Sequence, residues 1–505
     1  MSQAKQLSDD STHNLKERTV RGGTMVIGSM LAQKVVGIVV LAIMARLLTP
    51  EDYGLLGMVF VMTMFLQIFA DMGLPLATVQ KADLTQQQIS TMFWINLSLG
   101  ILLGIATAAA APLIVFFYHK PALMSITLLC AINFPLVALG AQHSALLQRR
   151  MAFGRLAVSE IAGLIVGGTT GITMALRGYG VIALVGQQLA GSGAVVLCNW
   201  LLTGWIPGMP VRKCGVQCML KLGGYLTAFN FVNYFARNID KILLGRFYGA
   251  APLGLYTRGY ALMMFPIGLI SGPINRVMIP TLSKIQHDLP RMRAVYLHVL
   301  QMIGFVSFPL MVWLMICGND AIAVVYGKKW LGAAGIFKIL CVVGIWQGIY
   351  NATGQVFVAA GRTDRQFKVG LLMAIVLAAA FALGVRWGTK GVAISYGAAF
   401  SVAILPYLAY TYATVGLRLW VVLRNLWQSF AAAVGMIPLL WFFQESVFSQ
   451  WMPAARLCCS FCVAVLLYLL LSVVINRAFL TKLYIQLVAF LSSSFGKRIS
   501  KESII

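Results

Sequence analysis

The segment "RLLTPEDYGL" (residues 46–55) returns 200 residues later as "RFYGAAPLGL" (residues 246–255). Each copy begins with an arginine and reaches a Gly-Leu pair after seven further residues. A Gly-Gly pair precedes both copies, at positions 22–23 and 223–224. An internal repeat on this scale predicts that the chain is built from two related halves.

The sequence around both copies is strongly apolar. Hydrophobic residues make up 60% of the 505 residues, charged residues make up 10%, and the mean hydropathy is +0.84. Soluble domains carry roughly 25% charged residues, and a bilayer core of about 30 Å needs about 20 apolar residues per helix. Such runs recur throughout the chain, so we predict an all-α integral membrane protein. The polar first 24 residues precede a full-length span, so we expect no cleaved signal peptide.

Apolar runs separated by polar breaks predict about fourteen transmembrane helices. Their predicted ranges are 25–46, 54–79, 91–117, 122–147, 156–176, 180–205, 222–245, 253–283, 294–317, 331–360, 369–385, 391–415, 425–444 and 455–476.

A second pair of matching segments supports the division into halves. The two segments are "RGYGVIALVG" (177–186) and "RWGTKGVAISYG" (386–397). Each contains a Gly-Val pair, and a second glycine follows six residues after the glycine of that pair. Offsets of 200 to 211 residues predict two lobes of six helices each. Because six is even, the lobes have the same orientation and a pseudo-twofold axis along the membrane normal. The predicted parts are a cytoplasmic N-terminal segment (1–24), an N-lobe (25–205), a cytoplasmic linker (206–221), a C-lobe (222–415), helices 13 and 14 (425–476) and a cytoplasmic tail (477–505).

The distribution of lysine and arginine predicts the orientation. The two tails hold nine of these residues and the six loops on their side hold fifteen, whereas the seven opposite loops hold nine. By the positive-inside rule both termini are cytoplasmic. The net charge of +25 is then explained by cytoplasmic loops beside anionic lipids, and we expect no nucleic-acid partner.

Charged residues inside the predicted helices are the candidate functional residues. A charge at a helix centre costs roughly 2.5–3.5 kcal/mol on insertion scales, so such residues should face protein or water. Bases outnumber acids by two to one, and this surplus favours an anionic ligand. Two alternatives remain open: some bases snorkel to the membrane surface, or Arg237 and Asp240 form a packing ion pair. The bases are Lys34, Arg237, Lys241, Arg258, Arg276 and Lys338, and the acids are Asp71, Glu160 and Asp240.

Uncharged polar residues form a stripe on predicted helix 10. Gln347, Asn351 and Gln355 recur at every fourth position, which favours either contacts with sugar hydroxyls or hydrogen bonds between helices. Cys459 and Cys462 form a CxxC pattern in mid-helix without a nearby histidine, so packing is favoured over metal or redox chemistry. No GxxxxGK[ST] motif is present, and we expect no metal or other cofactor. Any driving force must come from an ion gradient, a substrate gradient or a partner.

Four segments carry a resemblance to a known family. They are "ARLLTPEDYGLLG" (45–57), "RNIDKILLGRFYGAAPLGLY" (237–256), "VMIPTLSKIQHD" (277–288) and "VYGKKWLGAAGIFKILCVVGI" (325–345). Together they resemble the polysaccharide-export flippases of the MOP superfamily, of the Wzx-type colanic-acid-exporter branch. The resemblance covers residues from about 15 to 415.

The resemblance implies a non-enzymatic protein of the bacterial inner membrane. It would move undecaprenyl-diphosphate-linked oligosaccharide to the periplasmic leaflet by alternating access, for exopolysaccharide or lipopolysaccharide biosynthesis. Asp240, Arg246 and Gly254 match the family pattern, whereas the assignment of Arg237 and Lys241 to the diphosphate rests on the charge argument. Membrane lipids are expected partners, and a polysaccharide polymerase and a chain-length regulator are further candidates.

Three alternative functions differ from this expectation in testable ways. A MATE-like drug/cation antiporter of the same superfamily would need acids rather than bases in its cavity. A lipid II-type flippase would carry the same lipid diphosphate. A membrane-embedded glycosyl polymerase or ligase would need catalytic acids on the outer face, where Glu51, Asp52, Asp320 and Glu445 are isolated in the sequence.

Overall fold

The computed structural model describes residues 32–70, 84–211, 238–285, 287–359, 361–477 and 479–485, together with positions 28, 78, 79, 234 and 488. Within these ranges every regular element is helical. Ten spans are long and apolar enough to cross a membrane, or eleven if one sharply bent pair is counted as a further span. The predicted all-α membrane class is confirmed, and the count of fourteen stays a prediction.

The described helices follow the predicted order. In chain order they are α1 (Ala32–Leu47), α2 (Pro50–Ala70), α3 (Gln86–Tyr118), α4 (Leu123–Arg149), α5 (Phe153–Leu176), α6 (Val181–Thr203), α7 (238–248), α8 (Ala250–Lys284), α9 (Leu289–Ile316), α10 (Gly332–Ala359), α11 (Thr363–Gly384), α12 (Gly388–Ala413), α13 (Leu419–Phe442) and α14 (Pro453–Ile475). A short helix, Gly318–Val325, follows α9.

The start of α2 differs from its predicted start at residue 54. The chain turns by 119° between α1 and α2, and α2 begins at Pro50. Thr49 and Asp52 cap this end reciprocally: the Thr49 backbone N–H donates to Asp52 Oδ2 over 2.9 Å, and the Asp52 backbone N–H donates to Thr49 Oγ1 over 3.3 Å. Proline in the first turn and a capping pair are typical of a helix start, so the polar "TPED" segment opens the helix.

A reciprocal backbone contact supports the internal repeat. A Cβ atom added to Gly54 would lie 1.8 Å from the Ala250 carbonyl oxygen, and one added to Gly254 would lie 1.9 Å from the Pro50 carbonyl oxygen. The shift of 200 residues that maps Gly54 onto Gly254 also maps Pro50 onto Ala250. Exchanging the two copies of the repeat therefore gives the same pair of contacts. At each position a backbone carbonyl leaves no room for a Cβ atom, which explains why both residues are glycine.

The chain divides into two compact units, residues Met1–Thr257 and Arg258–Ile505. The boundary lies inside α8, because the start of α8 and the end of α7 pack against α2 and α3 of the first unit. For example, a Cβ atom added to Gly245 would meet Tyr118 at 2.9 Å and Met58 at 3.3 Å. The predicted linker, 206–221, is described only as far as Val211, so its role stays a prediction.

In the second unit, α9, α13 and α14 are joined pairwise by hydrogen bonds. Near the start of α9, Asn425 of α13 donates to the Leu297 carbonyl over 2.8 Å. Near the end of α9, the Trp313 indole donates to Ser460 of α14 over 3.1 Å. Helices α13 and α14 are linked directly by Asn476, just after α14, which donates to Ser429 over 3.1 Å.

Candidate functional site

Asp240 lies on α7 and is almost completely buried, with 4% of its surface exposed. The Tyr256 hydroxyl on α8 donates to its Oδ2 over 2.9 Å. Its other oxygen, Oδ1, has no hydrogen-bond partner among the described residues. A buried carboxylate oxygen without a partner is unfavourable, so Asp240 is a site where a cation, a proton or a donor group would be stabilised.

The break between α7 and α8 creates this contact. Gly249 adopts φ = 83°, a left-handed conformation that glycine takes readily, and α8 begins at the next residue. The chain thereby turns so that Tyr256 reaches a carboxylate 16 residues earlier. The sequence predicts the break between helices 7 and 8 at residues 246–252, but no local pattern shows that Tyr256 then faces Asp240.

Lys241 is half-buried beside Asp240. Its Nζ donates to Asn238 Oδ1 over 2.8 Å, and Asn238 Nδ2 donates to the Tyr234 carbonyl over 2.9 Å. The Tyr234 hydroxyl in turn donates to the Val61 carbonyl of α2 over 2.6 Å. This chain of hydrogen bonds links the Lys241 ammonium group on α7 to the backbone of α2. The arrangement presents one half-buried cation and one buried carboxylate, and electrostatic interactions at such positions are stronger than in bulk water.

The other predicted bases are placed separately. In the second unit, Arg258 is half-buried on α8, and its carbonyl accepts a hydrogen bond of 3.3 Å from Tyr326. Lys338 is half-buried on α10 and packs beside Gly318. In the first unit, Lys34 is exposed on α1.

Three predicted charged residues lack described side chains. Arg237 and Asp71 lie outside the described residues, and Arg276 lies on α8 with its side chain outside the description. A common cationic chamber therefore stays a prediction.

Glu160 has a neutral partner. It is exposed on α5, and the Gln33 amide of α1 donates to its Oε2 over 2.7 Å. Since Gln33 neighbours Lys34 in sequence, the acid and the exposed base belong to the same meeting point of α1 and α5.

The polar stripe on α10 is partly visible. Gln347 is buried, and its Nε2 donates to Asn351 Oδ1 over 3.0 Å, as the spacing of four residues allows. Gln347 Oε1 has no partner among the described residues. Tyr350 lies on the same helix, with its ring 4.9 Å from that of Tyr407. The Gln355 side chain lies outside the description. An unpaired amide oxygen is suited to accept a hydrogen bond from a hydroxyl group.

Asp320 is not isolated, in contrast to its appearance in the sequence. Its carboxylate lies 2.6 Å from the Arg456 guanidinium and is 4% exposed, and it also accepts a hydrogen bond from Gln444. The partners are more than a hundred residues apart, so no sequence spacing could have paired them. The group fixes α14 to the short helix after α9, which makes Asp320 a structural rather than a catalytic residue.

The CxxC pattern of Cys459 and Cys462 lies on α14. Cys459 is half-buried and Cys462 is exposed, and both are free thiols. Among the described residues, no group of three histidine, cysteine or acidic side chains is placed to hold a metal ion.

Comparisons with known proteins match this chain to polysaccharide biosynthesis proteins. A family model described as "polysaccharide biosynthesis protein" matches residues 43–335. The teichuronic acid biosynthesis protein TuaB of Bacillus subtilis is 29% identical over 357 residues, covering 70% of this chain and 74% of TuaB. The lipopolysaccharide biosynthesis protein WzxC of Escherichia coli is 25% identical over 418 residues, covering 81% of this chain and 85% of WzxC.

A solved structure shares the fold. The lipid II flippase MurJ, in an inward closed conformation, superposes with a TM-score of 0.74 at 16% sequence identity. The match covers 90% of this chain and 100% of the MurJ chain. At this identity the likeness establishes a common fold.

Proposed function

The chain belongs to the polysaccharide biosynthesis protein family, and on that premise we propose that it moves a lipid-linked oligosaccharide between the two leaflets of the membrane. The resemblance predicted from the sequence is confirmed by the family match and by relatives such as WzxC, and the fold shared with the lipid II flippase MurJ agrees with it. The observation that carries the proposal is the half-buried Lys241, held beside the buried Asp240 in a multi-pass helical protein.

The Lys241 ammonium group lowers the main energetic cost of this transport, which is the removal of a charged head group from water. An undecaprenyl diphosphate head carries about two negative charges, and an isolated ion in hydrocarbon costs tens of kcal/mol by Born solvation. Lysine ammonium groups bind phosphate as compact point charges. Lys241, together with the predicted bases Arg237, Arg258 and Arg276, replaces part of the hydration of the head. The polyprenyl tail stays in the lipid, where it needs no compensation.

The glycan requires different groups. Sugar hydroxyls each donate and accept hydrogen bonds, and amide side chains provide both functions. The Gln347 Oε1 atom, buried and unpaired among the described residues, supports a sugar-facing role for Gln347, Asn351 and Gln355. The alternative, in which the stripe joins neighbouring helices, is supported by the internal Gln347–Asn351 bond.

Alternating access between the two repeats releases the head group on the other side. A carrier shifts between states only by the difference in the ligand's affinity for them, so binding has to be moderate. We propose that an ion gradient drives the cycle through protonation or cation binding at Asp240 or Asp71. The unpartnered Oδ1 of Asp240 supports this role.

The cellular setting follows the same proposal. The protein is a multi-pass membrane protein, and we place it in the bacterial inner membrane with both termini in the cytoplasm. A polysaccharide polymerase and a chain-length regulator are candidate partners, since the translocated unit has to be polymerised.

Reconstituted transport tests the proposal. Full-length protein in vesicles is supplied with fluorescent undecaprenyl-diphosphate oligosaccharide, and the fraction reaching the other leaflet is measured by chemical quenching. Lys241→Ala should lower the initial rate at least about tenfold, because a hydrogen bond between charged groups is worth about 1.5–3 kcal/mol. Lys390→Ala, which removes an exposed base, should leave the rate unchanged. Equal rates for both variants would contradict the role of Lys241.

The cargo is tested in the same vesicles. Transport of lipid II but not of the oligosaccharide lipid would favour the lipid II-type alternative. A lengthened glycan would indicate a polymerase, and uptake of a cationic drug without lipid transport would indicate an antiporter.

A further inference from the structure

Two arginines converge on the C-terminal end of α6. Arg150, just after α4, donates from Nη1 to the Thr203 carbonyl over 3.4 Å. Arg155, in the first turn of α5, donates from Nη1 to the Leu202 carbonyl over 3.1 Å. The two carbonyls are consecutive, so both guanidinium groups are held at one helix end. Each guanidinium has five N–H donors, and both arginines remain exposed to the surroundings.

Among the residues that the structure describes, the charge around this helix end is not balanced. A helix C-terminus contributes roughly half a negative charge, whereas two arginines contribute two positive charges at any physiological pH. Glu160 is the only acid between residues 84 and 211. It lies five residues beyond Arg155 on α5, about 7.5 Å along the helix, and accepts a hydrogen bond from Gln33. The positive surplus at the arginine pair therefore calls for an anion.

The surroundings of the pair are apolar and outward-facing. Met151 next to Arg150, Leu201 at the end of α6, and Ile206 and Met209 just beyond it are 67%, 74%, 77% and 89% exposed. Large apolar side chains with this exposure are favourable at the surface of a bilayer, where polar groups meet acyl chains.

The segment that carries two of these side chains is fixed. The Trp94 indole donates to the Gly208 carbonyl over 2.8 Å, and the Gly208 N–H donates to Ser90 over 3.0 Å. The Val211 N–H donates to Thr91 over 3.1 Å. Residues 204–211 are thereby attached to the start of α3, with Ile206 and Met209 pointing outward.

We propose that Arg150 and Arg155 bind the phosphate of an anionic phospholipid, such as phosphatidylglycerol or cardiolipin, in the leaflet at this end of the first unit. Paired guanidinium groups hold a phosphate with several charge-assisted hydrogen bonds. The acyl chains lie over the exposed apolar side chains beside the pair. A bilayer phospholipid is favoured over the transported lipid because the arginine pair is exposed at a helix end, whereas the site proposed for the transported head group is at the buried Asp240 and the half-buried Lys241. The inference does not depend on the transported substrate.

Native mass spectrometry of the full chain tests this binding. The protein is released from nanodiscs of phosphatidylcholine with 20% phosphatidylglycerol, and retained lipids are counted. Arg150→Gln/Arg155→Gln is compared with Arg177→Gln/Arg386→Gln, which removes two exposed arginines from predicted loops of the opposite side. Each lost arginine should weaken retention of phosphatidylglycerol roughly fivefold, since a base near an anionic surface contributes about a factor of five. The control pair should retain wild-type amounts.

Two outcomes overturn the proposal. One is wild-type retention of phosphatidylglycerol by the Arg150/Arg155 variant, or an equal loss in the control pair. The other comes from a second sample to which undecaprenyl diphosphate is added: an unchanged phosphatidylglycerol signal with a loss of bound undecaprenyl diphosphate would assign the pair to the transported lipid. If the double variant does not fold, Arg150→Gln alone serves, because its 3.4 Å carbonyl contact is the weaker of the two, and a fivefold loss is expected.

Discussion

The close contact at Gly54 predicts a large effect from the smallest possible substitution. In Gly54→Ala, the new methyl group would lie 1.8 Å from the Ala250 carbonyl oxygen. An ordinary non-bonded separation of about 3.5 Å requires α2 and the start of α8 to move apart by roughly 1.7 Å. The obstacle is backbone, so no side-chain rotation relieves it.

The expected energy follows from two opposing terms. Overpacking costs about 1–3 kcal/mol, and a rigid backbone neighbour places this case at the upper end. Alanine regains about 0.8–1 kcal/mol of helix propensity relative to glycine. We therefore expect a net destabilisation of about 2 kcal/mol.

The assay is thermal unfolding of the purified full-length protein in detergent, together with the vesicle transport rate. Gly57→Ala is the matched control on the same helix, because its added methyl group would meet only the Leu253 side chain at 3.6 Å. The control should unfold at or above the wild-type temperature. Gly254→Ala, the repeat-related change, should resemble Gly54→Ala. Wild-type unfolding and transport in Gly54→Ala would refute the steric reasoning.

Further predictions concern the buried polar groups. Asp320→Asn or Arg456→Met should each destabilise the protein by about 2–3 kcal/mol in detergent. This is less than the loss of about 3–5 kcal/mol for a fully buried ion pair, because Arg456 is 24% exposed. The double variant should recover part of the loss, and additive losses would argue against the pairing. Tyr256→Phe should destabilise by about 1–3 kcal/mol, because Asp240 would lose its hydroxyl donor, and an unchanged unfolding midpoint would contradict that bond.

The fold was largely predictable because bilayer thickness dictates the length of apolar runs. The sequence predicts the start of α2 too late, because the polar "TPED" segment indicates a loop, whereas its proline and capping pair open the helix. The Gly54–Ala250 contact was not predictable, because the repeated decapeptide indicates two related halves and does not show which residues touch.

The candidate site was less predictable. Asp240 and Lys241 are identifiable as candidates because charged residues are rare in this apolar sequence. The hydrogen-bond and ion-pair partners of the buried acids are not identifiable in the same way. Tyr256 reaches Asp240 only because the chain turns at Gly249, and Asp320 finds Arg456 only through the packing of distant helices. Partners of this kind depend on tertiary geometry, which hydropathy does not encode.

The hydrogen bonds among α9, α13 and α14 limit how this part of the second unit can move. Helix α9 is attached to α13 near one end and to α14 near the other, and the third pair is also joined. Sliding α9 by a single turn, about 5.4 Å, would break both of its attachments at once. Shear is therefore disfavoured inside the trio, which should behave as one rigid group. Any displacement during a functional cycle would have to be absorbed at its outer faces.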